Sequence, residues 1–134
     1  MALNEKQRSF IADNPYVGVV TDLRADGSPH STVVWVDVVD GNVEFNTAVG
    51  RAKERYLRND PRVALTVVDP GDTYRWVSVS GPVELVLEGA DPQIDRLAKK
   101  YIDQDVYPWR KDSEQRISVR IGAEHVDSSG FDES

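Results

Sequence analysis

Short β-branched runs separated by glycine, proline and aspartate dominate the chain after its first fifteen residues. The run YVGVVTDL, from Tyr16 to Leu23, ends at Ala25-Asp26-Gly27-Ser28, a strong turn signal. A second strand pattern covers about Pro29 to Val39, and Asp40-Gly41 forms a two-residue hairpin turn into Asn42–Thr47. These three segments predict an antiparallel meander. Arg62–Asp69 (RVALTVVD) predicts a fourth strand, closed by Pro70-Gly71-Asp72. Tyr74 to Glu88 reads as a long fifth strand interrupted at Gly81-Pro82, where a proline inside a ladder implies a bulge, an edge or a corner. Gln115–Val126 predicts a sixth strand, and residues 127–134 a polar C-terminal tail.

Helical patterns separate these runs. Asn4 to Asp13 reads as a short amphipathic helix with Asn4 as N-cap, an apolar patch at Phe10 and Ile11, and a stop at Asn14-Pro15. Gly50–Asn59 (GRAKERYLRN) predicts a second helix ahead of Pro61, and Pro92–Tyr101 a third, followed by an irregular loop at Asp103–Lys111. The second and fifth strands carry valines on both faces (Val33, Val34, Val36, Val38; Val77, Val79, Val83), so neither face is simply solvent. That suits a closed or nearly closed barrel, or a strand covered by a partner subunit. The expected fold is mainly β with peripheral helices, in a single domain over residues 1–134.

Composition narrows the chemistry. The chain has 134 residues, a length that fits one domain. It has no cysteine, which removes disulfides, thiolate nucleophiles, iron–sulfur clusters and thiolate zinc, and its two histidines cannot build a multi-histidine metal site. A net charge of −7 argues against a sequence-independent grip on nucleic acid. The opening MALNEKQRSF lacks an apolar run of signal-peptide length, and no eighteen apolar residues follow one another, so neither export nor a membrane is expected and the location expected is cytoplasmic. There is no G-x-S-x-G elbow, no phosphate-binding G-x-x-x-x-G-K-[ST] loop and no G-x-G-x-x-G fingerprint. Catalysis then has to come from a bound cofactor, and no catalytic side chain is assigned.

One segment stands out in charge. Arg51, Lys53, Arg55, Arg58 and Arg62 face only Glu54 and Asp60, a local +3 in an acidic chain. Gly50 and Arg51 at a helix start offer free backbone N–H groups beside a guanidinium and an ammonium, which suits a phosphate or another anion. A solvated helix face with Glu54 and Arg58 paired at i,i+4 explains the same residues. Trp35 and Trp76, on the second and fifth strands, are either core or flanks for a planar ring, with Tyr74 on the face of Trp76. Trp109, beside Tyr107 and Pro108, either lids a pocket or packs on a neighbour. His30 is a surface histidine or a hydrogen-bond donor to a cofactor, and His125 carries no signal.

The order RADGSPH, STVVWVDVVDGNVEFNT, GRAKERYLRNDPRVALTVVD and YRWVSVSGPVEL resembles the split-barrel flavin-binding family related to pyridoxamine 5′-phosphate oxidases. Within it, the pattern is most similar to the actinobacterial flavin/deazaflavin oxidoreductases of the B group, which use coenzyme F420. The stretches LAKKYIDQDVYPWR and QRISVRIGAEHV are similar to that group's last helix and strand. The resemblance spans about Phe10 to Val126. It implies a homodimer of six-stranded antiparallel split β-barrels with two cofactor sites at the interface. It places Arg51 and Lys53 on the cofactor phosphate, Ala52 as a backbone contact, and Leu57 behind the helix. Asn46 and Thr47 would lie along the ribityl chain, Ser31, Thr32 and Val33 along the ring, and Tyr74, Arg75 and Trp76 on the opposing wall. His30, Trp35, Arg55 and Trp109 are further candidates. The second strand carries no arginine or lysine, which argues against a pyridoxine-phosphate oxidase, while Lys53, Arg55 and Arg58 offer charge for the carboxylate tail of F420. The implied activity is hydride transfer between reduced F420 and a planar conjugated acceptor (an enone, quinone or tetrapyrrole). An FMN-dependent enzyme, a non-catalytic flavin or F420 carrier, and a ligand-free structural dimer are the alternatives. No metal is expected.

Overall fold

Eight strands and three helices alternate along residues 2–131, the part of the chain that the computed structural model describes. The order is α1 (Glu5–Ala12), β1 (Gly18–Leu23), β2 (Pro29–Val34), β3 (Val36–Val39), β4 (Asn42–Ala48), α2 (Ala52–Asn59), β5 (Arg62–Asp69), β6 (Asp72–Val86), α3 (Ala90–Ile102), β7 (Arg116–Ile121) and β8 (His125–Ser129). All pairings are antiparallel and run β2-β1-β5-β6-β7-β4-β3, with β8 on β6.

The local chemistry explains the elements. Asn4 caps α1 through a reciprocal pair with Gln7, each side chain accepting the other's backbone N–H at 2.9 Å. Asp40 and Gly41 both have positive φ, 51° and 82°, the geometry that a tight hairpin with right-handed strand twist requires. Alternate residues of β1, β5 and β6 (Val20, Leu65, Val67, Val77, Val79) point inward to meet Val36, Phe45, Val119 and Ile121. Phe10 and Ile11 of α1 and Leu57 of α2 plug this core.

Eight strands replace the six expected because two predicted strands divide. The last one breaks at Gly122, where the chain crosses β6. A Cβ on Gly81 would stand 1.8 Å from the Gly122 carbonyl oxygen, so only glycine permits the crossing. Gly122 N–H donates to Pro82 O at 2.7 Å, and Glu124 N–H to Ser80 O at 3.0 Å. Gly81-Pro82 is thus the corner at which β6 exchanges β8 for β7. The tail expected from residue 127 is strand as far as Ser129, and residues 132–134 lie outside the described residues.

The second predicted strand divides at Trp35, and the sheet does not close there, because β2 and β3 are its two free edges. Helix α3 covers the exposed edge of β3. Tyr101 Oη accepts Val36 N–H at 3.0 Å and donates to Tyr16 O at 2.6 Å, while Lys100 Nζ donates to Val36 O at 2.9 Å and Ile11 O at 2.6 Å. Trp35 stacks on Tyr101 with centroids 5.5 Å apart. Burial pushes the Tyr101 phenol up to about 12, so it stays protonated, and burial lowers Lys100 from 10.5 to about 8.

Tyr101→Phe should destabilise the fold by about 1–3 kcal/mol in urea unfolding, since it strands Val36 N–H and Tyr16 O. Lys100 binds its proton less tightly when folded, so its charge costs stability below about pH 8 and that cost fades toward pH 10.5. Unfolding free energy should therefore rise with pH across this window, and Lys100→Met should flatten the rise.

Candidate anion site

The β4–α2 connection builds the mouth of a cleft. Gly50 has a φ of 91°, its N–H donates to Glu54 Oε1 at 2.8 Å, and its carbonyl accepts Arg55 Nη1 at 2.6 Å. Glu54 is buried, and the Gly50 amide and Arg58 hold its carboxyl below the ordinary range against the opposing effect of burial. With its turn locked this way, α2 starts at Arg51, the N-cap, whose side chain caps no amide. First-turn N–H groups and two cationic side chains remain for another acceptor.

The cleft has a volume of about 220 Å³. Arg51 and Lys53 stand at one side, Asn46, Thr47 and Arg116 line its base, and Val33, Val34, Trp35, Ile94, Leu97, Tyr107 and Trp109 supply apolar and aromatic walls. Arg116 is only 5% exposed. Its Nε donates to Asn46 Oδ1 at 2.8 Å, its Nη1 donates to Glu114 Oε1 at 2.7 Å, and the Tyr107 ring lies 5.2 Å from Cζ. Asn46 Nδ2 donates to Ala90 O and to Gln93 Oε1, both at 2.9 Å. Gln93 Nε2 donates to Glu44 Oε1 at 2.8 Å, Ser118 Oγ donates to Gln93 Oε1, and Arg120 Nε donates to Glu44 Oε2. The base of the cleft is a charge-balanced buried network from α3 across β4 to β7.

Glu114 joins this network to the mouth, since its Oε2 accepts Arg51 Nη2 at 2.7 Å. Burial would raise the Glu114 carboxyl, but Arg116 and Arg51 outweigh it and the net shift is downward, so Glu114 is ionised at neutral pH. Among the described residues Lys53 Nζ has one hydrogen bond, to Thr32 Oγ1 at 3.1 Å. Burial lowers its pKa, with Arg51 adding to the effect and Asp22 opposing it. The Thr47 hydroxyl is buried with no partner among the described residues. Two guanidinium groups on one carboxylate, with the under-bonded Lys53 ammonium lining the same cleft, make a site for a phosphate or another oxyanion.

Of the expected site residues, Val33, Trp35, Asn46, Thr47, Arg51, Lys53 and Trp109 line one cleft, and Thr32 reaches it through Lys53. Ala52 opens α2 beside it. The others do not come together with them in one chain. Leu57 is in the core, 1% exposed, and Arg55 folds back on Gly50. Ser31 shares a hydrogen bond with Thr21 on the outer sheet face. His30 Nδ1 lies 2.8 Å from Asp22 Oδ1, and its ring meets the edge of Tyr56. Tyr74 is 82% exposed on β6, and the Arg75 guanidinium is sandwiched between Phe10 and Phe131. Trp76 sits with Thr66, Val68 and Ser78 in a shallow recess of the sheet. Arg58, expected to add charge, is paired with Glu54.

Residues 3–129 match the family described as pyridoxamine 5′-phosphate oxidase. The chain belongs to this family. Solved structures share its fold. One described as an F420 reductase is 24% identical, with 93% of this chain and 98% of that chain covered and a TM-score of 0.79. The conserved hypothetical protein Rv2991 from Mycobacterium tuberculosis is 26% identical over 96% of this chain and 86% of its own, with a TM-score of 0.73. General Stress Protein 26 from Bacillus anthracis is 17% identical over 92% of each chain, with a TM-score of 0.68.

Three residues of this cleft and its supporting network escaped the sequence reading: Arg116, Glu114 and Gln93. The only trace of Arg116 is a cation at the head of a strand buried on both faces. Glu114 and Gln93 look like ordinary loop and helix-surface residues until α3 is docked.

An anion entering this site should restore the Lys53 pKa upward, so binding at alkaline pH should take up protons. Calorimetric titration with inorganic phosphate in two buffers of different ionisation enthalpy should show that uptake, and Lys53→Met should remove it.

Proposed function

We propose that the protein is a cytoplasmic oxidoreductase that binds coenzyme F420 and reduces a planar conjugated acceptor such as an enone, a quinone or a tetrapyrrole. The observation that carries the reading is the convergence of Arg51, Lys53 and Arg116 on one cleft that also has aromatic walls. The likeness in fold to an F420 reductase supports the cofactor class. The residues present fit a phosphate-bearing tail: Arg51, Lys53 and the α2 amides would hold the phosphate, and Thr47, which lines the same cleft, carries a buried hydroxyl with no partner among the described residues. When bound, reduced F420 supplies a hydride. The chain itself would bind and orient the group, with Lys53 and Arg51 holding the tail, and Trp35 and Tyr107, packed edge to face in the same cleft, supplying an aromatic wall.

The active form in this reading is a homodimer. Val33 and Val19 are 64% and 45% exposed and face each other across β2 and β1. The same cross-sheet row continues through the uncharged Thr66 and Ser78 and meets a charge only at Asp127. Val33 belongs both to this face and to the cleft. A second copy seated on the valines abuts the cleft, which gives Tyr74, Arg75 and Trp76 a route to the opposing wall that they lack in one chain.

One observation favours FMN instead. Arg55 and Arg58 are engaged within α2 and its turn, which leaves less free charge for a carboxylate tail. Titration with each cofactor, followed by fluorescence, separates the two. F420 should bind more tightly than FMN, and reduced F420 should be oxidised by an enone or quinone from a panel. FMN binding with no response to F420 would move the protein to the second reading. Arg51→Ala combined with Lys53→Ala should cost about 1.5–3 kcal/mol per lost charge-assisted contact in cofactor affinity.

A further inference from the structure

Glu114 is used by neither cofactor reading and Arg116 only as one of the cleft's cations, yet their arrangement has the form of an occupied binding site. One carboxylate bridges two guanidinium groups, Oε1 to Arg116 and Oε2 to Arg51, each at 2.7 Å. The partners differ in kind. The Arg51 side chain is 50% exposed, so its ion pair is weak and readily exchanged. The Arg116 side chain is 4% exposed, and a buried guanidinium left without an anion is strongly unfavourable. Asn46 fixes Arg116 from behind through Nε, and Asn46 is itself fixed by Ala90 and Gln93, so this half of the clamp is rigid. Arg116 Nη2 has no hydrogen-bond partner among the described residues, although Arg116 lines the cleft.

We infer that Arg51 and Arg116 form a two-guanidinium clamp for a ligand oxyanion, and that Glu114 is its resident stand-in, which the ligand's phosphate or carboxylate displaces. The clamp rests on the reading of the cleft as an anion site and adds Arg116 as a binding residue. The exchange replaces one anion by another, so Arg116 is never left unpaired and no net charge enters the base of the cleft. Affinity is then set by competition: a ligand oxyanion gains only what it adds over Glu114. Because Glu114 closes the segment that carries Tyr107 and Trp109, the exchange also releases one end of that segment from α2.

Chemical rescue tests the exchange. Glu114→Ala empties the clamp, and its melting temperature should fall in a chloride buffer. Inorganic phosphate, or acetate for a carboxylate source, should restore it at matched ionic strength, while the wild type responds little. Glu114→Gln, which keeps the side chain's shape, guards against misfolding of the alanine variant and should bind phosphate roughly tenfold more tightly than the wild type. Riboflavin, which carries no anionic group, should bind all three proteins alike, and FMN should gain from both substitutions. Variants no more sensitive to phosphate or acetate than the wild type, or a Glu114→Gln protein that binds phosphate more weakly, would overturn the clamp and leave Glu114 a plain positioning residue for Arg51. If neither F420 nor FMN binds but phosphate rescue is seen, the cofactor assignment fails and the clamp stands.

Discussion

The Arg116 guanidinium, held within a run of hydrogen bonds from α3 to the start of α2, is the constraint around which this fold arranges its chemistry. A cation at 5% exposure needs partners, and the network that supplies and holds them draws on four separate elements. Asn46 comes from β4, Gln93 and the Ala90 carbonyl from α3, Ser118 from β7 itself, and Glu114 from the segment before β7. Each link fixes the next. The network therefore sets where α3 sits on the sheet and which way the 103–115 segment runs. It also ties that segment to the N-terminus of α2 through Arg51.

The same docking of α3 solves the edge problem of the sheet. β2 and β3 come from one stretch of chain but end on opposite edges, with Trp35 as the corner between them. Lys100 and Tyr101 satisfy the outward backbone groups of Val36, so the edge is covered without another strand. One helix thus closes the edge with its last turn and holds the base of the cleft with its first, and a cleft lined by α2, β2, β4, α3 and β7 lies between. The cationic mouth is built separately, by the hook of Gly50 and Glu54 that locks the start of α2.

Much of the frame was legible in the sequence because its signals are local. Turn chemistry at Asp40-Gly41, the Asn4–Gln7 cap and the alternation in β1 and β5 depend on residues close in the chain, and the helices fall near their expected bounds. The strand count was not legible. The breaks at Trp35 and Gly122 are imposed by partners 65 and about 40 residues away, Tyr101 and Pro82. The site divides along the same line. Arg51 and Lys53 announce themselves as a charge cluster at a helix start. Asn46 was expected against a ligand, yet its amide is spent on Ala90, Gln93 and Arg116, so it acts through Arg116. Arg116 and Glu114 carry no local signal, since their meaning exists only once β7 lies beside β4. Tyr74, Arg75 and Trp76 remain apart from the cleft in a single chain, since they lie on β6, away from its lining.

The central claim is that this cleft receives a phosphate-bearing redox cofactor tail first, with the ring placed as a consequence. Phosphorus-31 NMR of F420 or FMN titrated with the protein tests it most directly, because it reports on the tail alone. The account predicts a shifted, broadened phosphorus resonance on binding that returns to the free position in the Lys53→Met protein. A phosphorus resonance that stays unchanged while the ring absorbance or fluorescence responds would contradict it.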